Sequence, residues 1–357
     1  MTLRLIEVEG PPRSRGRQFG EKCKNEISRT LAHNYRIIQH NYGLAREKVI
    51  LKARSIIPKA REMAPELCEE LEGVAEGSST SFEDIFVLNA LPEVMKMSPG
   101  GCTVISVDGR FTEDGKRITA QTVDWNPMLE DQYVVLKSTP EKGPLILTYT
   151  LAGLLALVGI NSKGLGLFMN ILITSEKLGK GLPTYFILRR ILEKERVNDA
   201  LSSIVTQKRA TAFNYVLTNG EGDLYCVESL VDEYEFMWDD EGMFVHTNHI
   251  LTGRLKDKDA YVKISRNVET LTRFRRAQKL LRNTLREKSR IGIEDVKRIL
   301  ADHANYPDSI CRHPNEEYPV ETRFKTLAAI IAKQGEDKML INSGNPCLNT
   351  YKQYALK

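Results

Sequence analysis

The sequence lacks several features that would assign it to a specialised class of protein. Its apolar runs are too short to cross a bilayer, and its first residues include no apolar run of signal-peptide length. Internal repeats, heptad runs and low-complexity segments are also missing. These absences exclude membrane-spanning, fibrous and repeat proteins, so we expect a cytoplasmic globular protein with no membrane partner.

Clustered cysteines and clustered charges of one sign are absent as well. The six cysteines lie far apart without a CxxC pair, which fits neither a zinc module nor a disulfide framework. The 51 basic and 47 acidic residues are interspersed and give a net charge of +4, whereas nucleic-acid binding usually requires a concentrated basic face. We therefore expect mostly buried free thiols and no nucleic-acid partner.

The first hundred residues carry mostly helical patterns. An alternating segment at 3–8 predicts a strand, and Thr80 with Glu83 forms a capping-box pattern before the fourth helix. The run SPGG at 98–101 contains poor helix and strand formers, which predicts an exposed loop. The predicted helices cover residues 14–40, 45–62, 65–75 and 82–91.

After residue 101 the pattern changes to short alternating strands, with helical patterns at 183–196, 261–287 and 293–301. The first two strands flank a turn at 113–115 and are expected to pair as a hairpin. The predicted strands cover residues 102–107, 117–123, 133–137, 145–149, 155–160, 165–170, 214–217, 224–230, 233–238, 326–332 and 339–341. This order, without a linker, predicts layered sheets covered by helices in one structural domain.

Cys102 lies where the predicted loop meets the first of these strands. A nucleophile placed there has a permissive backbone on one side and a rigid element on the other. Taken alone, the position favours an ordinary strand cysteine. Its functional interpretation therefore depends on other segments of the chain.

Four separated segments supply that support. They are GCT at 101–103, AQTVDW at 120–125, HTNH at 246–249 and NYPDSICR at 305–312. In this order and spacing they resemble the acyl-CoA:6-aminopenicillanic-acid acyltransferase family, the penicillin acyltransferases and their relatives among N-terminal-nucleophile (Ntn) hydrolases. The resemblance implies an α+β fold, a four-layer αββα sandwich with a mainly helical N-terminal segment.

The resemblance also implies that the precursor cuts its own Gly101–Cys102 bond. The products would be a small subunit, 1–101, and a catalytic segment, 102–357, of 256 residues (357 − 101) that stay associated. The Cys102 thiol can attack the Gly101 carbonyl in an N→S acyl shift, and hydrolysis of the thioester frees the amine. That α-amine, with a reference pKa of about 8, can then serve as the base for the same residue's thiol.

Further site residues follow from the matching segments. Asp124 would accept a hydrogen bond from the α-amine or position a substrate amine, although a turn carboxylate is its simpler interpretation. Asn248 would donate to the oxyanion, with an Asx-turn residue as its alternative. Arg312 would pair with Asp124 or hold a substrate carboxylate. The expected substrate contacts are Thr103, Trp125 and Ser309.

The histidines raise the question of a metal site. His246 and His249 are three residues apart, and His303 and His313 flank the last matching segment. We expect no metal, because no HExxH pattern or nearby cysteine spacing supports a zinc cage, and we expect Cys311 to be a buried packing thiol. No cofactor is expected, with acyl-CoA a candidate acyl-donor substrate.

The sequence thus predicts an enzyme that cleaves or transfers acyl groups of small molecules at amide or thioester bonds. Val104 and the segment 125–127 depart from the penicillin-forming members, so we expect different substrate contacts. One alternative is a Cys/His hydrolase with His246 or His249 as base and no self-cleavage. Another is an inactive binding homologue. Besides association of the two fragments, a homo-oligomer is a candidate assembly.

Overall fold

The structure, a computed structural model, describes residues 3–95, 100–265 and 268–357. The helices in these ranges are α1 Pro12–Lys22, α2 Lys24–Tyr42, α3 Arg46–Met63, α4 Pro65–Ser78, α5 Phe82–Asn89, α6 Leu91–Met95, α7 Thr184–Leu192, α8 Val197–Val205, α9 Tyr261–Ser265, α10 Glu269–Lys288 and α11 Ile293–Leu300. The strands are β1 Leu5–Gly10, β2 Gly101–Val107, β3 Ile118–Trp125, β4 Tyr133–Pro140, β5 Ile146–Leu151, β6 Val158–Asn161, β7 Gly166–Ile171, β8 Phe213–Thr218, β9 Leu224–Ser229, β10 Tyr234–Met237, β11 Met243–His246, β12 Lys325–Lys333, β13 Lys338–Ser343 and β14 Tyr351–Ala355.

The strands form two sheets. One has eight strands in the order β1-β4-β5-β6-β7-β8-β9-β10, and the other has six in the order β11-β2-β3-β12-β13-β14. Strand β1 pairs in parallel with β4, and the other strand pairs are antiparallel. The predicted hairpins β2–β3 and β12–β13 are both confirmed.

Alternation along β2 shows how the sheets are layered. Cys102 and Val104 belong to the core between the two sheets, where β2 packs against β7. Ile105 and Val107 point the other way, into a second core formed with α10 and α11. Each such buried aliphatic side chain is worth roughly 1.5–3 kcal/mol relative to exposure. Helix α7 covers β6 and β7 on the far side, so the predicted α+β fold of four αββα layers is confirmed.

Helices α1 and α4 pack backbone to backbone through glycines. A Cβ atom on Gly16 would lie 1.8 Å from the Glu70 carbonyl oxygen, and one on Gly77 would lie 2.1 Å from the Arg17 carbonyl oxygen. Gly20 and Gly73 are equally close to the facing helix. Since any side chain at these positions would separate the helices, the glycines fix the shape of the helical segment.

A buried ion-pair network joins this helical segment to the rest of the chain. Glu70 of α4 accepts from Arg15 of α1 at 2.7 Å and from Arg189 of α7 at 3.0 Å, with all three side chains at most 5% exposed. Removing one partner of such a buried set typically costs about 3–5 kcal/mol. The network therefore ties residues before position 101 firmly to residues after it.

Two local predictions were wrong. Ser81, not Thr80, caps α5: its Oγ accepts from the Asp84 amide at 3.1 Å. The predicted exposed loop at 98–101 lies partly outside the described residues, but Gly100 is buried and Gly101 already belongs to β2. The neighbouring strand and Trp125 enclose both glycines, which overrides their local preference for a loop.

Short elements escaped prediction, and two long predicted helices are divided. The predicted helix at 14–40 corresponds to α1 and α2, which are separated at Cys23. Strands β11 and β14, with four and five residues, are too short to show a clear alternation. The predicted helix at 261–287 corresponds to α9 and α10, with 266–267 outside the described residues. In the described parts of the chain, no helix combines the length and apolar character needed to cross a membrane.

Candidate active site

Cys102 is the second residue of β2, and its side chain is 2% exposed between the two sheets. Burial, and to a smaller extent the Asp124 carboxylate, raise the pKa of the thiol to about 12. Arg273 and hydrogen bonds from the backbone of Asp124 and Ile171 oppose this shift. The thiol is therefore neutral near pH 7 in the uncleaved chain and needs a base.

The β2–β3 register places Gly101 directly opposite Asp124. A Cβ atom on Gly101 would lie 2.7 Å from Asp124 Oδ2 and 3.3 Å from Arg312 Nη1. Only glycine fits there without displacing one of these groups. The expected hairpin thus brings the Asp124 carboxyl group to the Gly101–Cys102 peptide.

Asp124 is 1% exposed and has two different oxygens. Oδ1 accepts from the Thr326 hydroxyl at 2.7 Å, whereas Oδ2 has no hydrogen-bond partner among the described residues. Burial raises the pKa of this carboxyl group, against the effects of Arg273, the Thr326 hydrogen bond and Arg312. It is thus a carboxyl group whose second oxygen is available for a proton.

Asn248 contacts the nitrogen of Cys102. Its Oδ1 accepts from the Cys102 amide at 3.0 Å and from Arg273 Nη2 at 2.8 Å, which fixes the orientation of its side chain. Its Nδ2 donates to the Ile171 carbonyl at 3.1 Å. In the intact chain, the Asn248 amide, which we predicted as an oxyanion donor, therefore hydrogen bonds to backbone groups instead.

Arg273 is the main site residue that the sequence analysis missed. Its Nη1 donates to the Cys102 carbonyl at 2.8 Å and to Thr103 Oγ1 at 3.0 Å. Its spacing in the sequence could have indicated that it is buried, because Arg273, Ala277 and Leu281 lie on one buried face of α10 at intervals of four residues. A charge on an otherwise apolar stripe is a reason to look for a buried partner.

Arg312 lies beside Gly101 but makes no direct ion pair with Asp124 within the described residues. It pairs with Asp308 at 2.5 Å, lies 3.8 Å from Glu269, and stacks over Phe324. Its link to Asp124 runs through Thr326, whose Oγ1 accepts from the Arg312 amide and donates to Asp124. Arg312 Nη1 has no hydrogen-bond partner among the described residues.

The three predicted substrate contacts are placed differently. Thr103 points away from Cys102, and its hydroxyl accepts from Arg273. The Ser309 hydroxyl donates to the Cys311 carbonyl at 2.6 Å, so it is already satisfied. Trp125 lies against Gly100 and meets Phe324 edge to face. Of the three, Trp125 is best placed to line the predicted cleavage site.

The histidines of the 246–249 segment are arranged poorly for a catalytic base. His246 Nε2 faces Glu228 at 2.9 Å and its Nδ1 faces the Thr247 carbonyl at 2.8 Å. Since both ring nitrogens are engaged by these partners, neither is directed at the Cys102 thiol. Burial lowers the pKa of His249 to about 4, and its ring packs against Phe274 of α10.

The αββα layers and the buried cysteine at the start of an inner strand define the Ntn-hydrolase class of fold. Residues 110–347 match the family described as acyl-coenzyme A:6-aminopenicillanic acid acyl-transferase, and the chain belongs to this family. The matched range includes Asp124, Asn248 and Arg312 but begins after Cys102.

A full-length relative and several solved structures are similar to the chain. It is 25% identical over 349 residues to the acyl-coenzyme A:6-aminopenicillanic-acid-acyltransferase 40 kDa form of Emericella nidulans, covering 96% of this chain and 92% of that protein. A mutant of the conjugated bile acid hydrolase from Clostridium perfringens aligns at 13% identity and a TM-score of 0.49, covering 72% of this chain and 97% of that one. Penicillin V acylase of Agrobacterium tumefaciens aligns at 14% identity and a TM-score of 0.45, covering 68% of this chain and 83% of that one.

Proposed function

We propose that this protein is a self-cleaving acyl-transfer enzyme, in which Cys102 accepts an acyl group from an amide or thioester and passes it to an amine or water. The main observation behind this proposal is that the Gly101–Cys102 peptide lies beside the Asp124 carboxyl group, with the thiol buried next to it. A thiol, a nearby base and an unhindered preceding carbonyl are what intramolecular attack requires.

In the proposed first step, the Asp124 carboxylate takes the thiol proton through Oδ2. Its raised pKa and its lack of a hydrogen-bond partner among the described residues both favour proton uptake. Sγ bonds to the Gly101 carbonyl carbon, and the C–N bond to Cys102 breaks as the nitrogen gains a proton. The C–N cleavage frees the Cys102 amine, and water then hydrolyses the thioester to give a Gly101 carboxylate and the regenerated Cys102 thiol.

In the mature enzyme, the Cys102 amine takes over as base for its own thiol. Asn248 Oδ1, 3.0 Å from this nitrogen, accepts one N–H and orients the amine. Departure of Gly101 leaves Asp124 Oδ2 and Arg312 Nη1, which flank it, facing the incoming substrate. Arg312 would then bind a substrate oxygen while Asp124 binds an N–H group.

We further propose that Asn248 and nearby backbone N–H groups stabilise the oxyanion of the tetrahedral intermediate. Asn248 serves this role if its Nδ2, which donates to the Ile171 carbonyl at 3.1 Å, donates to the oxyanion instead. The backbone groups of Asp124 and Ile171 that hydrogen bond to the thiol are further candidate N–H donors. Losing one such donor typically costs on the order of a hundredfold in rate.

A cavity of about 760 Å³, whose lining residues do not include Cys102, carries more basic than acidic side chains. Helix α3 and the segment after β7 line it, with four lysines: Lys52, Lys59, Lys180 and Lys208. Lys59 pairs with Glu62, whereas Lys180 and Lys208 are exposed. Glu93 lies at the cavity in α6, the helix that precedes the cleavage site in sequence. We propose that the lysines bind the phosphates of acyl-CoA, which favours transfer over hydrolysis.

The proposal is tested by trapping the acyl-enzyme. The protein is mixed with an acyl-CoA thioester or a neutral acyl-amide of the same chain, quenched in acid and analysed by peptide mass spectrometry. An acyl group on Cys102, loss of turnover in Cys102→Ala and normal turnover in the control Cys68→Ala are expected. Turnover in Cys102→Ala would refute the mechanism, and an unacylated, inactive wild type would favour a binding homologue.

A further inference from the structure

A second cluster of reactive side chains lies outside the Cys102 site. It follows α11 and continues through the loop before β12 to the segment after β13. Its members are His303, Cys311, His313 and Cys347, and their ligand atoms all lie within 4.8 Å of one another. The sequence analysis missed it because Cys347 is far from the other three in sequence.

The distances between these atoms resemble the edges of a small tetrahedron. His303 Nε2 and His313 Nε2 are 3.2 Å apart, and Cys311 Sγ and Cys347 Sγ are 3.6 Å apart. His313 Nε2 lies 3.7 Å from Cys311 Sγ and 3.4 Å from Cys347 Sγ. Around a tetrahedral zinc ion with ordinary bond lengths, the edges would be about 3.3 Å (N–N), 3.8 Å (S–S) and 3.5 Å (N–S).

The surroundings of Cys311 suit a thiolate ligand. Asn345 Nδ2 donates to Cys311 Sγ at 3.4 Å, and the backbone of Cys347 also hydrogen bonds to it. Such hydrogen bonds orient metal-bound thiolates. The same Asn345 side chain donates to the Arg312 carbonyl at 2.7 Å, so this outer shell continues into the candidate active site.

We propose that His303, Cys311, His313 and Cys347 bind one Zn²⁺ in a closed tetrahedral Cys₂His₂ site. Binding releases the two thiol protons, and two thiolates with two neutral imidazoles leave the site with no net charge. Four protein ligands fill the coordination sphere, so the ion is structural and leaves no position for substrate. This assignment replaces the expectation of no metal and does not depend on the proposed function.

The zinc site would fix the loop that carries Arg312. Cys311 and His313 flank Arg312 in sequence, and Cys347 anchors them to the turn after β13. His303 connects the same ion to the end of α11. We therefore expect zinc to stabilise the fold and to position Arg312 beside Gly101.

Metal analysis of the purified full chain, washed with a weak chelator, tests the assignment. We expect about one zinc per chain. Zinc content should fall at least fivefold in Cys311→Ala, Cys347→Ala and His303→Ala. The controls Cys68→Ala, a buried cysteine of α4, and His40→Ala, an exposed histidine of α2, should retain it.

His303 is exposed, so His303→Ala should fold and keep the test valid if the cysteine variants do not. Exchange for Co²⁺ adds a readout independent of activity, namely the strong visible absorption of a tetrahedral thiolate complex, lost in His303→Ala. Wild-type protein without zinc, zinc retained in His303→Ala, or a Cys311–Cys347 disulfide in freshly purified protein would each overturn the assignment.

Discussion

At the scale of single residues, position 101 leaves no room for a side chain. Gly101→Ala would place a Cβ atom 2.7 Å from Asp124 Oδ2 and displace the carboxyl group that we propose as base. We expect self-cleavage to slow on the order of a hundredfold, as small misplacements of catalytic groups often do. The rate of self-cleavage is measured from the amount of uncleaved precursor that remains on denaturing gels over time.

Gly253→Ala is the matched control for this change. A Cβ atom there meets nothing within 4 Å, and the glycine has no left-handed φ angle. It should cleave like wild type. Normal cleavage in Gly101→Ala would show that the close approach to Asp124 has no role in the reaction.

Arg273 permits a second test at this scale. Arg273→Lys cannot reach the Cys102 carbonyl, Thr103 and Asn248 together, so we expect cleavage slowed by about a hundredfold. Arg189→Lys is the control, since Arg189 is equally buried in α7 but pairs with Glu70. It should lower the unfolding midpoint while folded protein still cleaves. Equal cleavage defects in both variants would reduce Arg273 to a stabilising role.

The sequence could predict a site residue where local pattern or family likeness determined its position. The turn at 113–115 between two strands was enough to bring Asp124 back to Cys102. The contact of Arg273 with Cys102 depends on how α10 packs on β2, a tertiary arrangement that no spacing along the chain encodes. The same holds for Cys347 beside Cys311.

At the scale of elements, α6 places a carboxyl group in the interior. Glu93 Oε1 accepts from the amide and hydroxyl of Thr184 at the start of α7, and burial raises the Glu93 pKa from 4.5 to about 7. Between these values the folded protein holds more protons than the unfolded chain. The contribution of Glu93 to the free energy of unfolding should therefore fall by about 3 kcal/mol as pH rises from 4.5 to 7.

Glu93→Gln should remove this contribution, because the amide keeps an acceptor for Thr184 and does not titrate. Urea unfolding at several pH values measures the difference between the variant and wild type. Glu62→Gln, which changes an exposed carboxylate at the same cavity, should keep the wild-type slope. An unchanged slope in Glu93→Gln would mean that Glu93 ionises normally.

The lysines around the cavity test the nature of the acyl donor. Lys180→Glu combined with Lys208→Glu should raise KM for acyl-CoA by about tenfold or more, with less effect at high salt. The KM for a neutral acyl-amide should not change, and Lys142→Glu, an exposed lysine elsewhere, serves as control. Equal changes in KM for acyl-CoA and the acyl-amide would mean that these lysines do not bind the phosphates of acyl-CoA.

Elements with strong periodicity were predictable, and those defined by tertiary contacts were not. The long helices and the β12–β13 hairpin follow from apolar spacing and turn residues. The four residues of β11 form a strand because they pair with β2. Gly101 becomes buried because the sheet extends to it, and Gly100 because it packs against Trp125.

At the scale of the whole molecule, both proposed fragments contribute strands and helices to one fold. Strand β1 extends the eight-stranded sheet beside β4, and Glu70 joins α1, α4 and α7. Cutting after Gly101 removes none of these contacts. The fragments 1–101 and 102–357 should therefore elute together under native conditions and separate only in denaturant.

Mass measurement of the purified protein under denaturing conditions tests the central claim most directly. We predict two wild-type fragments, of 101 and 256 residues (357 − 101), the larger beginning at Cys102, and a single chain of 357 residues for Cys102→Ala. A wild-type chain that stays whole after prolonged incubation, or a Cys102→Ala chain cut at the same bond, would contradict the account.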